Sequence, residues 1–384
     1  MTKTPVSLIR CTSYETAAVA DGVRRAIDIM GGIHRFVRPG EKILLKPNLL
    51  AAREPERGIT THPEIVRAVA RLVKEAGAIP MIGDSPGGAI KGVERVWEKT
   101  GMKQMADEEG VRLINFETAG ALEKRIDHPG IPSVHISRVV LEADGIINLP
   151  KLKTHSLMIL TCAIKNFYGC VPGLRKGEYH KMAPLPDDFG RLLAEIYLLV
   201  KDKVRFTLTD GIVAMEGNGP SSGGDLRKLD MIAASPDALA LDSFLAVLLG
   251  LKPEKIDPLR YLAQKGGGEG SVERIEAFGD SPASFNVADF RFPSNWHIKL
   301  LPPSVVKFLG RFVWIKPEII PEICENCLLC VNSCPVKSIH RPVNGGKPVV
   351  DRNACISCLC CHELCPYNAV SLKASILTRL FFRQ

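Results

Sequence analysis

The spacing of cysteines near the C-terminal end constrains this chain more than any other feature. They read Cys324-x2-Cys327-x2-Cys330-x3-Cys334-Pro335, then Cys355-x2-Cys358-x2-Cys361-x3-Cys365-Pro366. The same unit is used twice, 31 residues apart. An iron-sulfur cubane needs four thiolates directed at four corners. Three cysteines separated by two residues wrap three corners from one tight loop, and the fourth corner takes a ligand from elsewhere. In two-cluster arrangements the fourth cysteine of each run ligates the other cluster. The spacing therefore assigns Cys324, Cys327, Cys330 and Cys365 to one 4Fe-4S cluster. Cys355, Cys358, Cys361 and Cys334 form the second set. Structural zinc is the alternative, but zinc favours CxxC pairs and four ligands per ion, an economy that two triple runs do not follow. Pro335 and Pro366 suit a sharp exit from each loop, because proline fixes φ and removes a donor. Pro342 to Pro348 supplies turn residues for a short hairpin between the runs.

These residues resemble the bacterial-type two-cluster ferredoxin fold over about residues 321–372, with all eight ligand positions matched. Cys360 is an extra thiol beside Cys361. It is read as an alternative ligand, a redox-sensitive thiol or a small buried residue, and the last is favoured because Cys360 in place of Cys361 breaks the loop spacing. Paired clusters serve mainly to pass single electrons. A structural staple is the other use of a cluster, and two in about fifty residues exceed what stapling requires. Nine of the 12 cysteines lie between Cys324 and Cys365, and the first residues contain no apolar signal-peptide core. Metal-ligating cysteines in a reducing cytoplasm are therefore expected.

The remainder reads as a globular enzyme-sized body. Of the 384 residues, 46% are hydrophobic and 24% charged, which excludes a disordered or fibrous chain. Aromatics at 6% do not supply stacking surfaces for single-stranded nucleic acid. The net charge of +8 is spread along the chain rather than gathered in a basic tract, so no nucleic-acid partner is expected. The most apolar stretch, Met231 to Leu251, contains Pro236, Asp237 and Asp242, so no transmembrane helix is expected. Between Trp296 and Trp314, Lys299, Lys307 and Arg311 alternate with large apolar residues. Such a stretch is able to lie on a membrane surface. An amphipathic connector between domains is the preferred reading, since Pro302-Pro303 splits it.

Apolar runs predict strands at Val6–Cys11, Lys42–Asn48, Ile79–Gly83, Arg112–Phe116, Gly145–Leu149, Arg205–Asp210 and Met231–Ala234. Helical periodicity predicts helices at Tyr14–Ile29, Pro63–Ala76, Gly92–Glu109, Asp187–Lys201 and Pro236–Leu249. Continuous rather than alternating apolar strands are expected where helices cover both faces of a sheet. The fold class is α/β, a doubly wound, mainly parallel sheet, followed by a small α+β two-cluster ferredoxin domain. The boundaries expected are 1–290 for the α/β domain, 291–320 for the connector, 321–375 for the ferredoxin-like domain and 376–384 for a tail.

Open α/β sheets place their sites at the C-terminal ends of strands. Polar segments there are Lys46-Pro47-Asn48, Gly83 to Gly88, Leu149 to His155, Ala163 to Gly169, Thr209-Asp210-Gly211 and Glu216-Gly-Asn218-Gly-Pro220. Lys165 sits in an apolar run, where an ammonium needs a partner or a depressed pKa. Asp210 raises the same question at the end of an apolar strand. Together these segments resemble domain of unknown function family 362, over about residues 5–290. Members often carry a C-terminal ferredoxin module, so the resemblance implies an uncharacterised iron-sulfur protein and says little about substrate.

Two functions remain open. In the first, the chain is an oxidoreductase. Electrons pass through two 4Fe-4S clusters to a small-molecule substrate or cofactor at the strand ends. Lys165 and His155 act there as proton donors or anion clamps. Asp84, Asp210 and Glu216 are candidates for a divalent metal site. Cys162 and Cys170 are read as added thiolates or, preferentially, as buried core thiols. In the second, the chain carries electrons to a redox partner protein and the α/β domain is a non-catalytic docking platform.

Overall fold

The computed structural model describes residues 3–87, 92–173, 175–183, 185–220, 224–293, 315–334, 336–355, 361–362, 365–367 and 369–374. Most of the expected connector, the tail, Pro335, Cys358 and Cys360 lie outside the described residues.

The strands of the body are β1 (Thr4–Arg10), β2 (Lys42–Pro47), β3 (Ile79–Asp84), β4 (Arg112–Asn115), β5 (Ala121–Arg125), β6 (Ser133–Ser137), β7 (Gly145–Leu149), β8 (Lys151–His155), β9 (Ile159–Thr161), β10 (Val204–Gly217), β11 (Gly224–Ser235) and β12 (Ile275–Gly279). Its helices are α1 (Thr16–Asp28), α2 (Pro63–Glu75), α3 (Val93–Lys99), α4 (Met102–Glu109), α5 (Arg138–Glu142), α6 (Ala163–Asn166), α7 (Arg175–Met182), α8 (Pro186–Val200), α9 (Ala238–Leu248) and α10 (Asp257–Gln264). Among the described residues a ten-stranded sheet runs β12-β1-β11-β10-β7-β2-β3-β4, with β8 and β9 joined beside β10. From β10 to β4 along this order every neighbour is parallel. The pairs β1–β11, β10–β11 and β8–β9 are antiparallel. The architecture is thus α/β with a mixed, mostly parallel sheet.

Each apolar strand feeds two cores. Leu44 and Ile146 point into the layer holding α6, α8, α9 and α10. Ile43, Leu45 and Ile147 point into the layer of α1, α2 and α4. This two-sided burial is why the parallel strands read as unbroken apolar runs. The period of α2 is obeyed: Ile65, Val66, Val69, Leu72 and Val73 are buried. His62 caps that helix by accepting from the Glu64 N–H, and Pro63 occupies the first helical position.

Three segments differ from the sequence pattern. The stretch Gly92–Glu109 is two helices, because Gly101 adopts φ +71° and the Thr100 hydroxyl bonds back to the Val96 carbonyl. The β10–β11 ribbon extends well past its apolar core, pairing as far as Gly217 with Gly224. Its outer half carries polar residues, so the apolar count stops short. Lys151–His155, read from the sequence as a polar segment at a strand end, is itself a strand buried along its whole length. It continues β7 across Pro150 and pairs with β10. Its lysines found buried partners, which periodicity does not reveal.

In the C-terminal module β13 (Ile315–Ile319) pairs antiparallel with β16 (Val370–Ala374), and β14 (Ile339–His340) with β15 (Val349–Val350). The second pair is the hairpin expected at Pro342–Pro348, with Gly345 and Gly346 both at positive φ. Arg53 ties the module to the body, donating to the carbonyls of Cys365 and Pro366 at 2.5 Å each. No helix among the described residues is long and apolar enough to cross a membrane.

Candidate functional site

The strand ends of the body hold three lysines with almost no exposure: Lys46 at 0%, Lys151 at 1% and Lys153 at 1%. Burying an ammonium is costly unless it is paired and hydrogen-bonded. Lys46 Nζ lies 2.8 Å from Asp84 Oδ1, and the other Asp84 oxygen accepts the Leu49 N–H at 2.7 Å. Lys151 Nζ lies 2.9 Å from Asp210 Oδ2 and 2.7 Å from the Tyr14 hydroxyl, which itself donates to Asp210 Oδ1. Burial pulls the Lys151 ammonium below its ordinary pKa, opposed by Asp210. The same burial, reinforced by Asp210, pushes the Tyr14 phenol well up. Lys153 donates to Asn48 Oδ1 and the Ile59 carbonyl. Asn48, which accepts from Lys153, donates to Asn166, and Asn166 donates to Asn148 and to the Lys46 carbonyl, so the asparagines tie the ends of β2, β7 and α6 together. Gly169 passes so close that a Cβ there would lie 2.0 Å from Asp84 Oδ1, so only glycine fits.

A second constellation adjoins the first. Lys176 of α7 donates to the Ser85 carbonyl and hydroxyl at 2.5 Å each, and to the Pro86 carbonyl at 3.2 Å. The Ser85 hydroxyl in turn donates to Glu117 and accepts the Gly173 N–H. Burial lowers the Lys176 pKa to about 8, against the pull of Glu117 and Asp84. The sequence motif contained Ser85, but Lys176 lies in a polar helix with no apolar pattern to flag it.

Lys165 sits on α6, whose N-terminal N–H groups of Ala163 and Ile164 are held by the Asp242 carboxylate at 2.8 and 2.9 Å. Burial raises the Asp242 pKa to about 6 despite these bonds. Lys165 stands near His155 and His180 and helps, with burial, to keep both imidazoles neutral. His155 Nδ1 accepts from the Leu157 and Met158 N–H groups. That ring fixes a turn, and it is not in the wall of the cavity described below. Cys162 and Cys170 are core thiols: burial pushes Cys170 to about 12 and Cys162 well up.

Asp84, Asp210 and Glu216 do not come together. Each is already matched with its own cation, Glu216 with Arg291 at 2.8 Å. Among the described residues no three His, Cys, Asp or Glu side chains converge on a single metal ion. The expected divalent-metal set is therefore not assembled by this fold.

In the module, Cys324, Cys327, Cys330 and Cys365 all line one cavity, with Ile319, Leu328 and Val370 around them. These are the four thiols assigned by spacing to the first cluster, including the one from the distant run. Burial, together with the nearby Cys327, Cys365 and Cys324, pushes the Cys330 thiol up to about 11. Asn326 and Leu328 adopt positive φ, which curls the loop around that space. Backbone N–H groups of Asn326 and Ala369 point at the sulfurs of Cys324 and Cys365. An all-thiol set around one cavity fits a thiolate-held cluster. The Ser338 N–H points at Cys334 in the same manner. The cysteines described are free thiols, with no disulfide among them.

A cavity of about 670 Å³ opens between the module and the body. Asp84, Ser85, Lys165, Asn166, Tyr168 and Lys176 line one side. Cys334, Lys337, Ile339, His340 and Arg341 line the other. Its size suits a small-molecule ligand.

The model of a domain of unknown function, DUF362, matches residues 43–247, more than half of the chain. The chain belongs to the DUF362 family. This DUF362 chain also matches a 4Fe-4S dicluster domain over residues 316–366. A thylakoid-associated protein of Synechocystis sp. is 38% identical over 253 residues, covering 65% of this chain and 76% of that protein. Among solved structures, the lactate racemase apoprotein from Thermoanaerobacterium thermosaccharolyticum aligns with TM-score 0.35 and 12% identity. That alignment covers 59% of this chain and 54% of the racemase, so the chain spans about half its length. A loganic acid methyltransferase with SAH aligns with TM-score 0.23 and 11% identity, over 83% of this chain and 77% of that one.

Proposed function

We propose that this protein is an iron-sulfur oxidoreductase. Its C-terminal module (residues 321–375) delivers single electrons to a small molecule held against the α/β body (residues 1–290). The observation that carries this reading is the wall of the cavity between them: Cys334, assigned to the second cluster, faces the same space as Lys165 and Lys176. When bound, two 4Fe-4S clusters supply single electrons, drawn from a separate one-electron carrier protein. The side chains of the body do the rest. Lys165 and Lys176 bind the substrate and hold protons beside it. A group with a pKa of about 8, as at Lys176, gives up a proton and regains it near neutral pH. His155 is a positioning residue, setting the turn behind Lys165 through its Nδ1. The net change is two electrons and two protons added to the substrate. A module that only shuttled electrons to other proteins would gain nothing from the Arg53 clamp that seats it on the body. The module's free thiols suit a reducing compartment such as the cytoplasm.

The test uses the anaerobically purified, chemically reduced holoprotein mixed with the small-molecule fraction of source cells. Reoxidation of the cluster absorbance is expected with wild type. Lys165→Met is expected to abolish it while iron and sulfide content stay unchanged. Reoxidation that requires a protein fraction, or that survives in Lys165→Met, overturns the reading in favour of a carrier.

A further inference from the structure

Lys176 and Cys334 stand on opposite walls of one cavity, the first on the body and the second on the module. The Lys176 ammonium is buried and held by three oxygens, the Ser85 carbonyl and hydroxyl at 2.5 Å each and the Pro86 carbonyl at 3.2 Å. The buried Ser85 hydroxyl donates in turn to Glu117, which is half-buried. Lys176, Ser85 and Glu117 therefore form one chain of hydrogen bonds that begins at the cavity wall and ends on a partly solvated carboxylate. Other charged groups surround this chain. From the sheet, Glu117 and Asp84 favour the Lys176 charge and Lys46 opposes it. Cys170, Lys165, Glu178 and His180 stand on its own side of the cavity. Lys337, His340 and Arg341 face it from the module. Burial, helped by Lys165, lowers His180 to about 3, and burial lifts Cys170 to about 12, so neither changes charge near neutral pH. Burial brings Lys176 itself to about 8, inside that range.

We propose that Lys176 takes up a proton when the cluster held by Cys334 is reduced, and that Glu117, acting through the Ser85 hydroxyl, sets the pH at which it does so. The electron comes from the one-electron carrier and adds one negative charge on the module side. The proton comes from solvent and forms an N–H bond at Lys176 Nζ. The added negative charge favours the ammonium, and by reciprocity the ammonium favours the reduced state. This rests on the reading that Cys334 ligates a cluster beside the cavity, and it brings the proton and the electron of the proposed oxidoreductase to one space. Lys176 is the proton carrier, and Glu117 is a positioning residue.

The experiment is a potentiometric titration of the anaerobic holoprotein without substrate, from about pH 6 to about pH 10. It is read by electron paramagnetic resonance on the signal that Cys334→Ala loses. A unit charge added across a partly enclosed space is expected to raise the proton affinity of Lys176 about tenfold. The midpoint potential should then be flat at low pH, fall by about 59 mV in all just above pH 8, and level off. Lys176→Met should be independent of pH near the alkaline limit. Lys176→Arg should be independent of pH near the acidic limit, because its guanidinium stays charged. Glu117→Gln removes a carboxylate that favours the ammonium and should move the fall to lower pH. A residue that only braces the fold would leave it in place. Should Lys176→Met fail to assemble iron, Lys176→Arg and Glu117→Gln still report. A flat wild-type midpoint, a fall that survives in Lys176→Met or Lys176→Arg, or a fall unmoved by Glu117→Gln overturns the proposal. No turnover is read, so the oxidoreductase reading can fail with the proton linkage intact. Conversely, the linkage can fail in a protein that still reduces a substrate.

Discussion

Removing the ammonium of Lys46 isolates the electrostatic logic of the strand ends. Lys46 is fully buried, 2.8 Å from Asp84 Oδ1, and Asp84 is 3% exposed. In Lys46→Met the carboxylate keeps the Leu49 N–H but loses the ammonium that pairs with it. Breaking a buried pair from one side costs about 3–5 kcal/mol, because a charge is left uncompensated. That is a large share of the roughly 5–15 kcal/mol by which domains are stable. Lys46→Met with Asp84→Asn removes the orphaned charge and should recover most of the loss. Urea unfolding followed by circular dichroism, at neutral and mildly acidic pH, measures all three proteins. A neutral-pH cost for Lys46→Met below about 1 kcal/mol, the range of exposed ion pairs, would refute the reasoning. So would an equal cost in the double variant.

Two further outcomes follow from other groups. Lys176, lowered by burial to about 8, binds fewer protons folded than unfolded between that pH and its ordinary 10.5. Its contribution to stability should therefore rise with pH through this window, by roughly 3 kcal/mol in all, and unfolding curves of wild type and Lys176→Met should converge or cross as pH rises. In the module, Cys330→Ala and Cys365→Ala should each lose about half of the iron and leave the same residual paramagnetic spectrum, with Cys334→Ala and Cys361→Ala leaving the other one. Matched spectra for Cys330→Ala and Cys334→Ala would show that each run serves its own cluster.

Much of this molecule is legible along the chain because some signals are local. Three cysteines two residues apart meet one cluster from one loop, so their chemistry is written in consecutive residues. The apolar runs at Lys42–Pro47 and Gly145–Leu149 announce buried parallel strands, since both faces must be covered. The motif residues Asp84, Lys165 and Asp210 stand out along the chain because a charge in or beside an apolar run demands an explanation. The polar ends of β10 and β11 stayed silent, because a strand with one wet face can carry any polar residue.

Partnership between distant residues was decided only by the folded chain. Residues Asp84, Asp210 and Glu216 share a side-chain type, yet each is claimed by a different cation, Lys46, Lys151 and Arg291. His155 turns its Nδ1 to the N–H groups of Leu157 and Met158, and Lys176 emerges from an unpromising helix to meet Ser85. Even Cys365 reaches the cavity of the first run only because β13 and β16 pair and bring the chain ends of the module together. A charge or a thiol states what it needs within its own side chain. Which group answers depends on the crossing of strands far apart in sequence, where loop closure and burial select one partner among many.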